Sequence, residues 1–241
     1  MEKVGEFHFV TESYQLDFQG KVTIPMIGNY LIHAASVHAA DRGFGYADMT
    51  EKHTAWVLSR LVVEIENYPK SAGPLTLYTW VDEVGRLFTS RCFELADGDG
   101  KTFGYARSIW AAIDLATRRP TLLDVEGLSR YLSDRPCPIE KPGKIAPVEG
   151  KSEPTSYRVK YSDLDINGHL NSIKYMEHLL DLFPIELFRQ KEIGRFEIAY
   201  QSEGKYGMQL ALHSIETTPG KYEMAICHDG KSICRAAVAW K

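Results

Sequence analysis

The chain has 241 residues, 44% hydrophobic and 25% charged, with a formal net charge of −4. That mix fits one large globular domain or two modest ones and argues against a general nucleic-acid binder. No run approaches the roughly 20 apolar residues that cross a bilayer, and Met1-Glu2-Lys3-Val4-Gly5-Glu6 has neither an apolar signal core nor an Arg-rich transit pattern, so the expectation is a cytoplasmic protein with no membrane and no nucleic-acid partner.

Along the chain, Ile24-Pro25-Met26-Ile27 opens a helix, with proline at a permitted early position. Apolar residues at Ile27, Tyr30, Leu31, Ala34, Ala35 and Ala39 keep the period of a buried helical face. Gly43-Phe44-Gly45 reads as the turn that ends it. Strands are expected from Trp56 to Ile65, Leu75 to Val81, Leu87 to Leu95 and Phe103 to Ile113, with Trp56 and Trp80 as core aromatics. Prolines 120, 136, 138, 142, 147 and 154 are six of the chain's 11, and with Gly143 and Gly150 they mark a linker. A second helical period follows at Ile173, Met176, Leu179, Leu180 and Phe183, stopping at Pro184. Strands then run from Phe196 to Ser202, Gln209 to Ile215, Tyr222 to Cys227 and Ile233 to Trp240.

The halves resemble each other. Asp99-Gly100-Lys101-Thr102-Phe103, running on to Ala106 and Trp110, recurs 130 residues later as Asp229-Gly230-Lys231-Ser232-Ile233, running on to Ala236 and Trp240. Each copy reads as a hairpin turn at Asp-Gly entering a strand. Each half is therefore a short strand, one long apolar helix and a run of antiparallel strands. A helix apolar over a broad face needs a sheet to cover it. The expected class is α+β, two fused hotdog domains: residues 1–130, a Pro-rich linker at 131–153, and residues 154–241. Such a fused pair leaves monomer and homodimer both open.

Cysteines 92, 137, 227 and 234 form no Cys-x-x-Cys pair, so free thiols are expected, with no metal and no cofactor. The chemistry concentrates in Tyr161-Ser162-Asp163-Leu164-Asp165-Ile166-Asn167-Gly168-His169-Leu170-Asn171. Asp165, Asn167 and His169 place a carboxylate, an amide and an imidazole just before the second helix, where unpaired backbone N–H groups could hold an oxyanion. A carboxylate there can activate water or attack a carbonyl. Thioester hydrolysis fits such a site, because a thiol with a pKa near about 8.5 leaves without a strong general acid. The same residue types also cap helices and form turns. The matching stretch of the first half, Asp17-Phe18-Gln19-Gly20-Lys21, has no histidine or asparagine, and that asymmetry favours function.

At these residues the sequence resembles the acyl-acyl carrier protein (acyl-ACP) thioesterases of plants and bacteria. Asp163 to Tyr175 is similar to the family's Asp-Leu-Asp-x-Asn-x-His-x-Asn-x-x-x-Tyr segment, and Tyr200-Gln201-Ser202-Glu203-Gly204-Lys205 to its later Tyr-x-x-Glu-Cys-Gly stretch. Trp56-Val57-Leu58-Ser59-Arg60, Tyr78-Thr79-Trp80, Trp110 to Asp114 and Thr117-Arg118-Arg119-Pro120 extend the likeness over nearly the whole chain. The resemblance implies hydrolysis of a fatty acyl-ACP, with the acyl channel in the first domain and catalytic residues in the second. Asp165 would be base or nucleophile, Asn167 would position the carbonyl, His169 would orient a carboxylate or water, and Glu203 would reach in from a neighbouring strand. Gly204 stands where many plant members carry cysteine, so a cysteine nucleophile does not carry over. The helix residues Ile27, Leu31 and Ala35 would line the acyl channel. The acidic carrier would meet basic residues, with Arg118, Arg119, Arg158, Lys160 and Lys174 as candidates. An acyl-CoA thioesterase, a hotdog hydratase or dehydratase, and a non-catalytic acyl-thioester binding module are the rival readings. No Gly-x-Ser-x-Gly elbow supports a serine hydrolase.

Overall fold

Thr23 starts α1 (Ile24–Ala40): its hydroxyl accepts the Met26 N–H at 3.1 Å, and Pro25 stands in the first turn, where it forfeits no hydrogen bond. The computed structural model describes residues 2–69 and 71–241. The chain divides into two units, one ending at Pro142 and the other beginning at Gly143. In the first, β1 (Val4–Thr11) precedes α1, and α2 (Tyr46–Glu51), β2 (Thr54–Ile65), β3 (Gly73–Val84), β4 (Phe88–Asp97), β5 (Thr102–Asp114) and α3 (Val125–Ser129) follow. The strands pair antiparallel in the order β1-β3-β4-β5-β2.

Helix α1 packs on β1 and β3, burying Ile27, Leu31, Ala34 and Ala35, so the period read from the sequence is the face it covers. Trp80 is fully buried; Trp56 is only half-buried and donates its indole N–H to the Phe44 carbonyl at 2.8 Å. The same face of α1 carries the buried His38. Arg91 Nη1 lies 3.0 Å from His38 Nδ1 and 3.2 Å from Thr79 Oγ1, and Thr79 donates to the Cys92 carbonyl at 3.1 Å. A guanidinium only donates, so Nδ1 accepts and the imidazole is neutral with its proton on Nε2. Burial, with Arg91 and Arg42 adding to it, pushes His38 down to about 3.

In the second unit β6 (Thr155–Arg158) leads through a 3-10 turn to α4 (Ser172–Leu180) and α5 (Ile185–Gln190). Strands β7 (Ile193–Tyr200), β8 (Gln209–Thr218), β9 (Lys221–His228) and β10 (Lys231–Trp240) complete an antiparallel sheet ordered β7-β10-β9-β8-β6, with α4 against β9. Each unit is thus an antiparallel sheet with a helix laid on it, the hotdog arrangement. The second helix is shorter than its apolar period suggests, nine residues against 17 in α1. Pro184 disfavours helical backbone at Phe183 and caps α5 instead. Phe183 still packs, edge-on to Tyr222 and Trp240 at 4.9 and 5.3 Å.

The Asp-Gly repeat is built as two different hairpins. Asp229 and Gly230 both have positive φ (48° and 72°) and form a two-residue loop. In the first unit the loop spans residues 98–101, and the Asp97 carboxylate accepts the N–H groups of Asp99 and Lys101 at 3.1 and 2.9 Å. Residues 133–154 form neither helix nor strand. Up to Pro142 they lie on the first unit, where Ser133 N–H donates to the Val81 carbonyl and Arg107 to that of Cys137. Beyond it they lie on the second, where the Gly143 N–H bonds the Glu197 carboxylate and Val148 is buried against Ala225 and Cys227.

His38 makes stability depend on pH. Its folded pKa lies below the unfolded value of 6.5, so the native state binds fewer protons than the unfolded chain between the two values. Stability is full above about pH 6.5 and is lost as pH falls towards about 3, by at most about 1.4 kcal/mol per pH unit. His178, lowered by burial, acts in the same sense. Urea melts of His38→Gln should show a flatter decline between about pH 6.5 and 4 than wild type; an unchanged slope would place the acid sensitivity elsewhere.

Candidate active site

Asp165 closes a turn. Its Oδ1 accepts the N–H groups of Asn167 and His169 at 2.8 and 3.0 Å. Its own N–H donates to the His169 carbonyl at 2.8 Å, and Gly168, at φ 73°, donates to the Asp165 carbonyl. Leu164 and Leu170 pair at the base. The cluster therefore does not sit on a helix N-terminus, as its composition suggested. Gly168 takes a left-handed conformation that a helix cannot hold, and Asn171 caps α4 by accepting the Ile173 N–H at 2.8 Å.

The first unit builds the same turn 148 residues earlier. Asp17 Oδ1 accepts from Gln19 and Lys21 at 2.8 and 2.9 Å, Gly20 has φ 77°, Leu16 pairs with Val22, and Thr23 caps the helix. The turn is thus a requirement of the fold in both halves, and Asp165 Oδ1 serves it. What the second unit adds is Asn167 and His169 in place of Gln19 and Lys21, and Glu203.

Glu203 comes from the loop after β7, three residues beyond the strand. Gln201 and Ser202 N–H groups share the Ile233 carbonyl, and Leu170 N–H donates to the Gly204 carbonyl at 2.9 Å, drawing the loop against the turn. There His169 Nε2 lies 3.3 Å from Glu203 Oε2, with the side chains 23% and 38% exposed. This is the pair of side chains the structure brings together. Asp165 joins it through the His169 backbone N–H, and half-buried Asp165 keeps Oδ2 out of the turn bonds. Asn167 is exposed, and its carboxamide makes no hydrogen bond among the described residues. Among those residues no group of three or more His, Cys, Asp or Glu could hold a metal ion.

Beneath the turn lies a buried acid–base pair that sequence reasoning did not single out. Asp163, 3% exposed, accepts from Tyr157 Oη and the Lys160 N–H at 2.7 Å each, and lies 3.3 Å from His178 Nε2. Burial opposes its charge, but those bonds outweigh it and hold Asp163 below the usual carboxylate range. The first-unit counterparts are neutral: Tyr30 donates to Gln15 Oε1 at 3.0 Å. The 148-residue offset was the available signal, and the Asp-Gly repeat at 130 concealed it. The expected channel residues Ile27, Leu31 and Ala35 are all buried in the packing of α1.

Gly204 has no room for a side chain. A Cβ there would stand 2.9 Å from Leu170 Cβ, 3.0 Å from Leu170 Cδ2 and 3.2 Å from the Tyr175 hydroxyl. Gly204→Ala should cost about 1–3 kcal/mol by overpacking and lower activity by displacing Glu203. A melting temperature equal to wild type would show that the loop can absorb the methyl group.

The family model for the acyl-ACP thioesterase N-terminal domain matches residues 2–131, and that for the C-terminal domain matches residues 148–241. Oleoyl-acyl carrier protein thioesterase 2, chloroplastic, of Arabidopsis thaliana is 28% identical over 213 residues, covering 81% of this chain and 58% of that protein. Palmitoyl-acyl carrier protein thioesterase, chloroplastic, of Cuphea hookeriana is 24% identical over 254 residues, covering 97% and 61%. The chain thus spans about three fifths of the length of these curated relatives. An acyl-ACP thioesterase structure from Bacteroides thetaiotaomicron superposes with a TM-score of 0.94 at 44% identity, covering 99% of this chain and 98% of that one. The 12:0-ACP thioesterase from Umbellularia californica shares the fold, with a TM-score of 0.87 at 21% identity over 100% and 98% of the two chains. With both halves matched in order, the chain belongs to the acyl-ACP thioesterase family.

Proposed function

We propose that the protein hydrolyses fatty acyl-ACP thioesters to free fatty acid and holo-ACP. The observation that carries this reading is the His169–Glu203 pair set on the Asp165 turn, in a family whose members act on that substrate. Water attacks the thioester carbonyl carbon, and the carboxylate–imidazole pair takes up its proton. Asp165 Oδ2 helps to orient the water, and the Asn167 carboxamide holds the carbonyl as its oxygen becomes negative. The tetrahedral adduct collapses by breaking the C–S bond, and the carrier's thiolate leaves without an acid.

In this reading the first unit receives the acyl chain, within the sheet covered by α1. Arg158 and Lys160 are exposed on the segment entering the Asp165 turn, and Lys205 is exposed beside Glu203. They suit an acidic carrier better than Lys174, which pairs with Glu177 at 2.5 Å. Arg119 is exposed after β5, in the first unit. The compartment we propose is the cytoplasm, whose reducing conditions fit four free cysteines.

Thiol release from acyl-ACP and acyl-CoA panels of varied chain length tests the reading. His169→Ala, Glu203→Gln and Asp165→Asn should each lower kcat by about two orders of magnitude. Asp165→Asn keeps the Oδ1 acceptor, so the turn survives and the charge alone is lost; Asp17→Asn, the same change in the first unit, should leave the rate unaltered. A folded wild type that releases no thiol from any substrate would sink the proposal, and faster release from CoA than from ACP would change the carrier.

A further inference from the structure

We infer that Tyr175 is a positioning residue whose hydroxyl clamps the peptide on both sides of Glu203 and so holds that carboxylate on His169. The hydroxyl donates to the Ser202 carbonyl at 3.2 Å and accepts the Gly204 N–H at 2.7 Å. Ser202 and Gly204 are the two neighbours of Glu203, so one oxygen fixes the chain direction just before and just after it. The clamp is anchored in the core. Tyr175 is 3% exposed on α4, and its ring meets that of Tyr200 at 5.5 Å and 84°. Tyr200 in turn donates to the Ser172 carbonyl at 2.9 Å.

The donation to Ser202 needs a protonated phenol, and burial pushes the Tyr175 hydroxyl well above its ordinary range. With residue 175 buried, water cannot readily replace the lost partner. Leu170 holds the far side of the same loop through the Gly204 carbonyl, which leaves a glycine gripped by both its N–H and its C=O. The first unit gives the comparison. At the same offset from its Asp turn α1 carries Ile27, an apolar residue buried in the core. The shared fold therefore packs without a hydroxyl at this position, and the hydroxyl occurs in the unit that has a Glu203 to aim.

The inference rests on the reading that His169 and Glu203 do the chemistry. It is tested by steady-state kinetics and pH–rate profiles of Tyr175→Phe, Tyr200→Phe and Glu203→Gln, each assayed well below its melting temperature. Tyr175→Phe should lower kcat about tenfold or more with KM within about twofold, and move the acidic limb of the kcat/KM profile. Tyr200→Phe, which also removes a buried hydroxyl bond next to α4, should leave kcat within about twofold. Equal effects of the two, or a Tyr175→Phe rate near wild type, would overturn the clamp. Should Tyr175→Phe fail to fold, amide exchange in the wild type decides: the Gly204 N–H should exchange as slowly as the amides of α4, and fast exchange would overturn the clamp. Wild-type turnover by Glu203→Gln would overturn the active-site reading itself, and the clamp with it.

Discussion

A single carboxylate oxygen shared by two backbone N–H groups is the constraint on which the chemistry proposed for the second unit depends. By accepting from residues two and four positions on, Asp165 Oδ1 fixes where the His169 backbone lies and so where the imidazole can reach. Hydrogen bonds to a charged acceptor are worth about 1.5–3 kcal/mol each, enough to hold the turn that carries the three candidate side chains. The turn then recruits the next loop, because Leu170, at its base, offers its N–H to Gly204. Glu203 reaches His169 as a consequence of that backbone bond.

The two units separate the scaffold from the residues proposed for chemistry. Both carry the Asp turn, the positive-φ glycine, the paired leucine or valine and the helix cap. A feature present in both is explained by folding. Where the first unit has neutral or basic neighbours the second has acid–base partners, His169 for Lys21 and Asp163 with His178 for Gln15 with Tyr30, and it carries the hydroxyl of Tyr175 in place of Ile27. In the first unit the longer helix is given over to burial, and its buried polar cluster, His38 with Arg91 and Thr79, contains no carboxylate.

Much of the fold was legible, because its elements are periodic. Every strand expected from β-branched and aromatic runs lies within a few residues of one in the structure, and α1 begins where Ile24 and Pro25 place it. The second helix was over-extended, since Phe183 keeps the apolar period while lying past the helix, turned to Tyr222 and Trp240. The site was legible as composition and misread as geometry. Asp, Asn and Gly before a helix serve caps and turns alike, and only the φ of Gly168 separates the two. Glu203 was found through resemblance; nothing local in Gln201-Ser202-Glu203 points to a histidine 34 positions earlier. Tyr175 was legible as the last letter of a motif, without a role, because its bonds join a helix to a loop more than 25 residues away.

The glycine at 204 bears on the choice of nucleophile. The resemblance implies that many plant members hold cysteine at this position, yet here the space is closed by Leu170 and the Tyr175 hydroxyl. The thiols of the same unit offer no substitute. Cys227 and Cys234 are buried, and burial pushes both thiols up, so neither carries the thiolate that nucleophilic catalysis requires. A carboxylate-based route has no such obstacle: Glu203 is partly exposed, held at both flanking peptides and already paired with an imidazole. Filling position 204 with any side chain would disturb the grip on Glu203 before it could supply a nucleophile. In the proposed mechanism the glycine therefore belongs to the apparatus that aims a carboxylate, with the absence of a side chain as its contribution.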